Sequence, residues 1–402
     1  MSAIDTDGQP AEELPLAGVR VLEFCHTVMG PTCGLMLADL GAEVIKVEPA
    51  PQGDRTRVLQ GFVVGAFSYF NRNKKSIGLN LKSEEGREIL HRLVADADVV
   101  AENYGPGTAE RLGMGYEELA KVNPRLIYCA LKGFLPGPYE HRAALDEVAQ
   151  FMTGLAYMTG PPGQPLRAAT SVIDMLGGIF GAMGIMGALR QRETTGRGCK
   201  VRSALFESSA FLVGQYMAGQ AVTGVPPVPL PVRGRSWAIY ETFDTRDGGK
   251  VFLGLTSNNH WKTFCDVFER PDLKADPRYD TNEKRLDAYD FIRPLVQSVV
   301  LNYTAEEIID LLAPEGIPIG QVGQPGDLFE DEHLNAAGGL LATMMTTGER
   351  AKLPALPFTI AGERMGLRLD PPELGEHTHE VMARIGLSKA EVDALIEQEI
   401  LR

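Results

Sequence analysis

The sequence predicts a doubly wound α/β region over roughly the first 130 residues, followed by a smaller α+β region. Three observations carry that prediction. Short apolar runs alternate with helix-length segments from Gly18 onward. A proline-rich connector, GVPPVPLPVRGR at residues 224–235, follows a long helical stretch. Beyond it, AIYETFDTRDGGKVFLGL reads as a β-hairpin with Asp247-Gly248-Gly249 as its turn.

The elements follow in order. Residues 1–14 are polar and acidic and read as a flexible tail. Residues 18–24 (GVRVLEF) form a buried strand, residues 31–40 a short helix closed by Gly41, and Glu43–Glu48 (EVIKVE) the next strand, a parallel βαβ unit. Residues 76–81 supply another strand, and Ser83 caps a helix over Glu84–Ala95. Residues 97–103 and 125–131 repeat the theme. In such sheets ligands bind beyond the carboxyl ends of the strands, where loops meet helix N-termini. From Asp146 to about Gly219 the pattern is helical, with Gly177, Gly181, Gly184 and Gly187 three or four residues apart. Each glycine costs a helix roughly 1 kcal/mol against alanine. Several on one face imply close packing against the backbone, by a neighbouring helix or by a ligand. After the hairpin, residues 260–268 and Ala305–Leu312 are helical, and the C-terminal segment reads as a helix pair with Ser388 as a cap.

Charge and cysteine usage narrow the function. The 39 basic and 53 acidic residues leave a net charge of −14, against general nucleic-acid binding, which needs a basic surface. A local basic pocket for a small phosphorylated ligand stays open. Cys25, Cys33, Cys129, Cys199 and Cys265 are scattered without a C-x-x-C pair, so reduced thiols are expected rather than disulfides or a four-cysteine zinc site. The N-terminus has no apolar h-region, and the longest apolar run, residues 175–189, has 15 residues against the ~20 of a membrane helix. A soluble, cytoplasmic protein with neither nucleic acid nor membrane as partner is the expectation.

The sequence lacks G-x-x-x-x-G-K-[ST], H-E-x-x-H and G-x-S-x-G. The turn after the first strand is HTVMGP rather than G-x-G-x-x-G, so NAD is not expected. His377 and His379 lack a third clustered ligand, and no metal is expected. Two features stand out. NRNKKS places Arg72, Lys74 and Lys75 together before a strand, either as a solvated turn or for phosphate recognition. Asp174 interrupts the apolar run SVIDMLGG, either as a helix cap, with Ser171 as the rival cap, or as a functional carboxylate.

The blocks at residues 16–57 (LAGVRVLEF…GP…LADLGAEVIKVEP), 71–90 (NRNKKSIGLNLKSEEGREIL), 97–113 (ADVVAENYGPGTAERLG), 195–208 (TGRGCKVRSALFES), 316–322 (GIPIGQV) and 374–381 (LGEHTHEV) occur together and in order. From about residue 15 to its end the chain resembles the class III CoA-transferases. The resemblance implies a Rossmann-like large domain built from residues 15–225 and 326–402, and a small α+β domain at 226–325. It also implies an obligate homodimer of interlocked rings. The implied activity moves CoA from an acyl-CoA donor to a carboxylic acid acceptor through an aspartyl mixed anhydride and an aspartyl-CoA thioester. Coenzyme A is then a substrate, with neither metal nor NAD.

Carried over by position, the catalytic aspartate falls on Asp174, with Asp146 in support. Gly177 and Gly178, or a loop of the small domain, are the candidates for oxyanion donors. The positions matching CoA-binding residues are Val28, Met29, Leu79, Lys82, Asn103, Tyr104 and Arg111. Arg72, Lys74 and Lys75 remain candidates for phosphate steering. The chain departs from formyl-CoA transferases at Val28, where they carry a glutamine, and at VRGRSWAIYE, which replaces their glycine-rich small-domain loop. Strict oxalate specificity is therefore not implied. LDEVAQFMTGLAYMTGPPGQPLRA and SWAIYETF look closer to transferases for C4–C5 dicarboxylates such as mesaconate, itaconate or citramalate, with Arg167, Arg233 and Arg235 available to a free second carboxylate. An α-methylacyl-CoA racemase is the alternative within the superfamily. Its histidine would precede Asp146, where Leu145 stands, and His141 would have to substitute. A non-catalytic acyl-CoA-binding protein is the alternative of another class, and such a protein has no need of Asp174.

Overall fold

The computed structural model describes residues 14–402. The expected tail lies outside the described residues except for Leu14, which is buried against Leu40, Leu356 and Met365. The chain forms two compact units, one running to Val232 and resuming over Asp331–Arg402, the other Arg233–Glu330. Both crossings lie a few residues beyond the expected 226 and 326.

The first unit is organised by a sheet of six parallel strands: β1 (Arg20–Phe24), β2 (Glu43–Glu48), β3 (Lys74–Gly78), β4 (Val99–Glu102), β5 (Ile127–Lys132) and β6 (Lys200–Ala204). Their order is β3-β2-β1-β4-β5-β6. The winding reverses between β1 and β4, which opens a crevice at their carboxyl ends. Helix α1 (Met29–Asp39) joins β1 to β2, α2 (Ala66–Asn71) precedes β3, and α3 (Glu84–Ala95) leads to β4. The Gly86 N–H donates to Ser83 Oγ at 2.9 Å, the expected cap of α3. Helices α4 (Thr108–Arg111) and α5 (Tyr116–Val122) lie between β4 and β5; α6 (Asp146–Met152), α7 (Leu155–Thr159) and α8 (Val172–Thr195) between β5 and β6; α9 (Leu205–Thr223) follows β6.

Alternation along the strands feeds two cores. Leu22, Phe24, Ile45, Val47 and Val100 pack with α3, α5 and the C-terminal helices Thr378–Arg384 and Lys389–Glu397. Val21, Val44, Val99, Ala101 and Ile127 face α1 and α8 on the other side. Helix α8 has 24 residues and is long and apolar enough to cross a membrane. It lies instead along α1 and the sheet, with Ile173, Ala182, Ile185 and Ala188 buried. Its glycines explain the fit. A Cβ at Gly177 would stand 2.6 Å from Met29 Cε, one at Gly178 2.7 Å from Thr32 Cβ, and one at Gly181 2.6 Å from Leu131 Cδ2. The partner that those glycines admit is protein, chiefly α1.

Strand β3 begins two residues before the expected 76, because lysines read as a turn belong to the sheet. Lys74 is fully buried, 2.7 Å from Glu23 Oε2, and Glu23 lies 3.5 Å from Lys46. Lys46 completes its set with Asp54 at 2.8 Å and the Cys25 carbonyl at 2.8 Å. Burial opposes the charge on Lys46, but Glu23, Asp54 and Glu48 outweigh it and raise the ammonium's pKa. Gly34 of α1 makes room for this layer, since a Cβ there would overlap the Glu23 carboxylate.

The second unit carries the hairpin β7 (Tyr240–Asp244) and β8 (Lys250–Gly254), with β9 (Ile319–Gln321) antiparallel to β8. Gly248 takes the turn at φ 81°. Trp261, Phe264, Ile292, Val296 and Ile308 build its own core.

Candidate active site

A cleft of about 540 Å³ opens beyond the carboxyl ends of β1, β2 and β4. Cys25, His26 and Thr27 of the β1–α1 loop form one wall, Glu48, Asp54 and Arg55 another, and Tyr104 a third. Asn103 shapes the loop with both ends of its amide: Oδ1 accepts the His26 N–H at 3.0 Å and Nδ2 donates to the His26 carbonyl at 2.8 Å. That clamp holds Thr27 at φ 68°, a conformation costly for a β-branched residue. The same loop then enters α1, whose Met29 packs on Gly177 of α8. One short segment thus lines the cleft and touches the helix that carries Asp174.

Asp174 is the third residue of α8. Neither it nor Ser171 caps the helix. Asp146, reaching from α6, accepts the N–H of Ile173 at 2.7 Å and of Asp174 at 3.0 Å through Oδ2. Its Oδ1 accepts Nε2–H of Gln150, and Gln150 Oε1 accepts the Ala168 N–H at 2.9 Å. The cap is therefore supplied from outside the helix, and the Asp174 carboxylate is left free of that duty. Burial pushes the Asp174 carboxyl up to about 7, with the negative charges of Asp146 and Glu147 adding to it. A half-buried carboxylate on a first helical turn, poorly solvated and titrating near neutrality, suits a nucleophile.

The other expected site residues divide. Tyr104 lines the cleft, Asn103 acts through the loop it clamps, and Val28 and Met29 begin α1. Leu79 is a core residue, and its backbone N–H is bound to the Glu48 carbonyl at 2.8 Å. Lys82 and Arg111 are exposed and outside the cleft lining, with Arg111 donating to Thr108 Oγ1 at 2.7 Å. Phosphate steering is corrected for Arg72 and Lys74 by burial and pairing, and Lys75, half-buried, is paired as well. Arg72 lies 2.7 Å from Asp39 with both side chains buried, Lys74 is neutralised by Glu23, and Lys75 bridges Glu43 at 2.7 Å and Glu380 at 2.6 Å. Gly177 and Gly178 as oxyanion donors meet a similar objection. They sit in the second turn of α8, where an α-helix commits each N–H to the carbonyl four residues back.

Arg167 is half-buried just before α8, its Nε 3.4 Å from Glu147. Arg233 and Arg235 belong to the other unit, where the Arg235 guanidinium lies 3.6 Å from the centre of the Tyr289 ring. His141, the residue a racemase would need, is exposed and faces Glu140 at 3.5 Å. It borders a separate hollow with Lys132, Lys200 and Arg202. Two residues went unnoticed in the sequence. Arg55 stands on the cleft wall, and its only signal was a place in GDRTR just past a strand's carboxyl end. Gln150 had no local signal. Among the described residues no group of three His, Cys, Asp or Glu side chains is placed to hold a metal ion.

The sequence model of CoA-transferase family III matches residues 16–378. The chain belongs to CoA-transferase family III. It is a CoA-transferase by that membership, an enzyme acting between acyl-CoA and carboxylic acids. It is 37% identical to an acetyl-CoA:oxalate CoA-transferase of Acetobacter aceti, over 89% of this chain and 92% of that protein. It is 30% identical to a succinyl-CoA–D-citramalate CoA-transferase of Chloroflexus aurantiacus, over 96% and 98%. The crystal structure of a CAIB/BAIF family protein from Brucella suis superimposes with a TM-score of 0.81 at 30% identity, covering 92% of this chain and 99% of that one.

Proposed function

We propose that this CoA-transferase carries acyl groups on Asp174 in a two-anhydride relay. The Asp174 carboxylate attacks the thioester carbonyl, forming a mixed anhydride and releasing CoA thiolate. The thiolate attacks the aspartyl carbonyl, which frees the donor acid and leaves an aspartyl-CoA thioester. The acceptor carboxylate attacks that thioester, giving a second anhydride and CoA thiolate again. Attack of the thiolate on the acceptor's carbonyl yields the new acyl-CoA and restores Asp174. The observation that carries this reading is the Asp146 cap, which holds the first turn of α8 while leaving the Asp174 carboxylate free of capping, three residues before Gly177, where α8 meets Met29. Incubation with acyl-CoA, then hydroxylamine or borohydride, should modify Asp174 and no other carboxylate. Modification elsewhere, or none during turnover, sinks the relay.

The acceptor is proposed to be a dicarboxylic acid of the C4–C5 class. Among the names of similar family members, glutarate and citramalate are C5 diacids, whereas oxalate, a C2 diacid, supports only the dicarboxylate class. Arg167, close to the start of α8, would exchange Glu147, 3.4 Å away, for the second carboxylate. A panel of acyl-CoA donors against C2–C6 mono- and dicarboxylates, read by mass spectrometry, identifies the pair. Preference for monocarboxylates, or for the C2 diacid oxalate, would refute the assignment.

Only the ionised Asp174 attacks. With its carboxyl pushed up to about 7 by burial, kcat/KM for acyl-CoA should fall about tenfold per pH unit below that value and level off above it. A profile flat between about pH 5 and 8 would contradict this.

A homodimer of interlocked chains and a cytoplasmic location belong to the same reading. Phe211 and Met217 on α9 are 71% and 62% exposed, and Phe151 of α6 and Met183 of α8 add to the uncovered apolar surface, a sign of an interface. Light scattering should give twice the chain's mass at micromolar concentration; a monomer there removes the dimer from the proposal. The free cysteines accord with a reducing compartment.

A further inference from the structure

Gln150 takes no part in the relay as written, yet it is fully buried and both ends of its amide are engaged. A leucine would fill the same place in α6 without the cost of burying an amide. Only one carboxamide orientation can donate to the Asp146 carboxylate and accept from the Ala168 N–H. Asp146 has two oxygens, and this contact decides which one turns toward α8. Oδ1 is held by Gln150, so Oδ2 is left for the N–H groups of Ile173 and Asp174. Ala168, at the other end of the amide, is next to Arg167, whose Nη1 donates to the Ala168 carbonyl at 3.2 Å.

We propose that Gln150 is a positioning residue for the transfer reaction. It locks Asp146 against the first turn of α8, so setting the direction in which Asp174 presents its carboxylate, and holds the segment bearing Arg167 in register with it. The inference rests on Asp174 being the nucleophile. A buried amide also suits this place better than a charge. Asp146 and Glu147 on α6 already face Asp174, Arg167 is drawn toward Glu147, and α1 meets the start of α8 with the uncharged Met29 and Thr32. Helix α9 meets α6 through Ser209, bonded to Thr153 at 2.6 Å. A second acid at this position would find no free cation among these groups.

Two substitutions separate positioning from mere packing. Gln150→Leu keeps the volume and removes both hydrogen bonds. Its kcat should fall about 10–100-fold, the range expected for a displaced reacting group, with KM for acyl-CoA unchanged. Gln150→Glu reproduces donor and acceptor while its carboxyl is protonated, and repels Asp146 once ionised. Its kcat should therefore decline again at high pH, where the wild-type enzyme holds a plateau. A lost packing contact would lower the profile without changing its shape. Wild-type kcat in Gln150→Leu, or a wild-type-shaped profile in Gln150→Glu, overturns the proposal. If Gln150→Leu does not fold, the profile of Gln150→Glu decides alone. Trapping of Asp174 in the wild-type enzyme, run alongside, keeps the failures apart. A trapped Asp174 with unaffected Gln150 variants rejects only the positioning role.

Discussion

Asp174→Ala abolishes transfer, lowering kcat by about 10³-fold or more, while the protein still binds acyl-CoA. No neighbouring carboxylate can take over. Asp146 is committed to the Ile173 and Asp174 N–H groups and to Gln150, and Glu147 faces Arg167. The helix itself should survive, because its cap is Asp146 rather than Asp174. Near wild-type turnover in the variant would show that the acyl group never resides on this residue. Stability should move the opposite way. An unfolded aspartate titrates near 3.9, whereas burial pushes the native carboxyl up to about 7. Between those values the native state holds a proton that the unfolded chain has lost. Stability therefore falls as pH rises through this window, and the penalty is complete above it. Asp174→Asn removes the penalty and should gain roughly 1–3 kcal/mol at about pH 8, after allowance for partial exposure, and nothing at about pH 4. An equal Tm for wild type and variant at both pH values would argue against a buried nucleophile.

Glu23→Ala carries the largest expected cost in stability. Its carboxylate is fully buried between Lys74 at 2.7 Å and Lys46 at 3.5 Å. Without it Lys46 keeps Asp54, but Lys74 is left with only the Pro31 carbonyl at 3.0 Å and Asn71 Oδ1 at 3.1 Å. Removing one partner of a buried pair typically costs 3–5 kcal/mol, mostly from the charge left behind, which corresponds to a Tm lower by roughly 5–8 °C for a unit of this size. Adding Lys74→Met should recover part of that loss, because the stranded charge goes with it. A single variant as stable as wild type, by calorimetry at neutral pH, would mean that water or rearrangement satisfies Lys74. The consequence reaches the cleft, since Asp54 and Cys25, which hold Lys46, also line it.

Much of the fold was legible in the sequence because its causes are local. The run EVIKVE is strand β2 over its full length, and Ser83 and Ser388 cap the helices expected of them. The hairpin at Asp247-Gly248-Gly249 closes because glycine takes its left-handed turn at small cost. Helix α1 starts two residues before Pro31, which lies within its first turn, where the missing N–H has no intrahelical partner to lose.

Asp174 was singled out by a carboxylate in an apolar run and by the order of the sequence blocks around it, and both are properties of the chain alone. Its surroundings were decided by tertiary structure. The cap from Asp146 spans 28 residues of sequence, and Gln150 gave no sign of itself because a glutamine in a helix is locally unremarkable. Arg72 and Lys74 looked like surface charges because a sequence window shows charge but not the acids that α1 and β1 bring beneath them. Periodicity and capping act over a few residues and can be read in order. The pairing of a buried charge depends on which strands lie side by side, and only the folded sheet determines that.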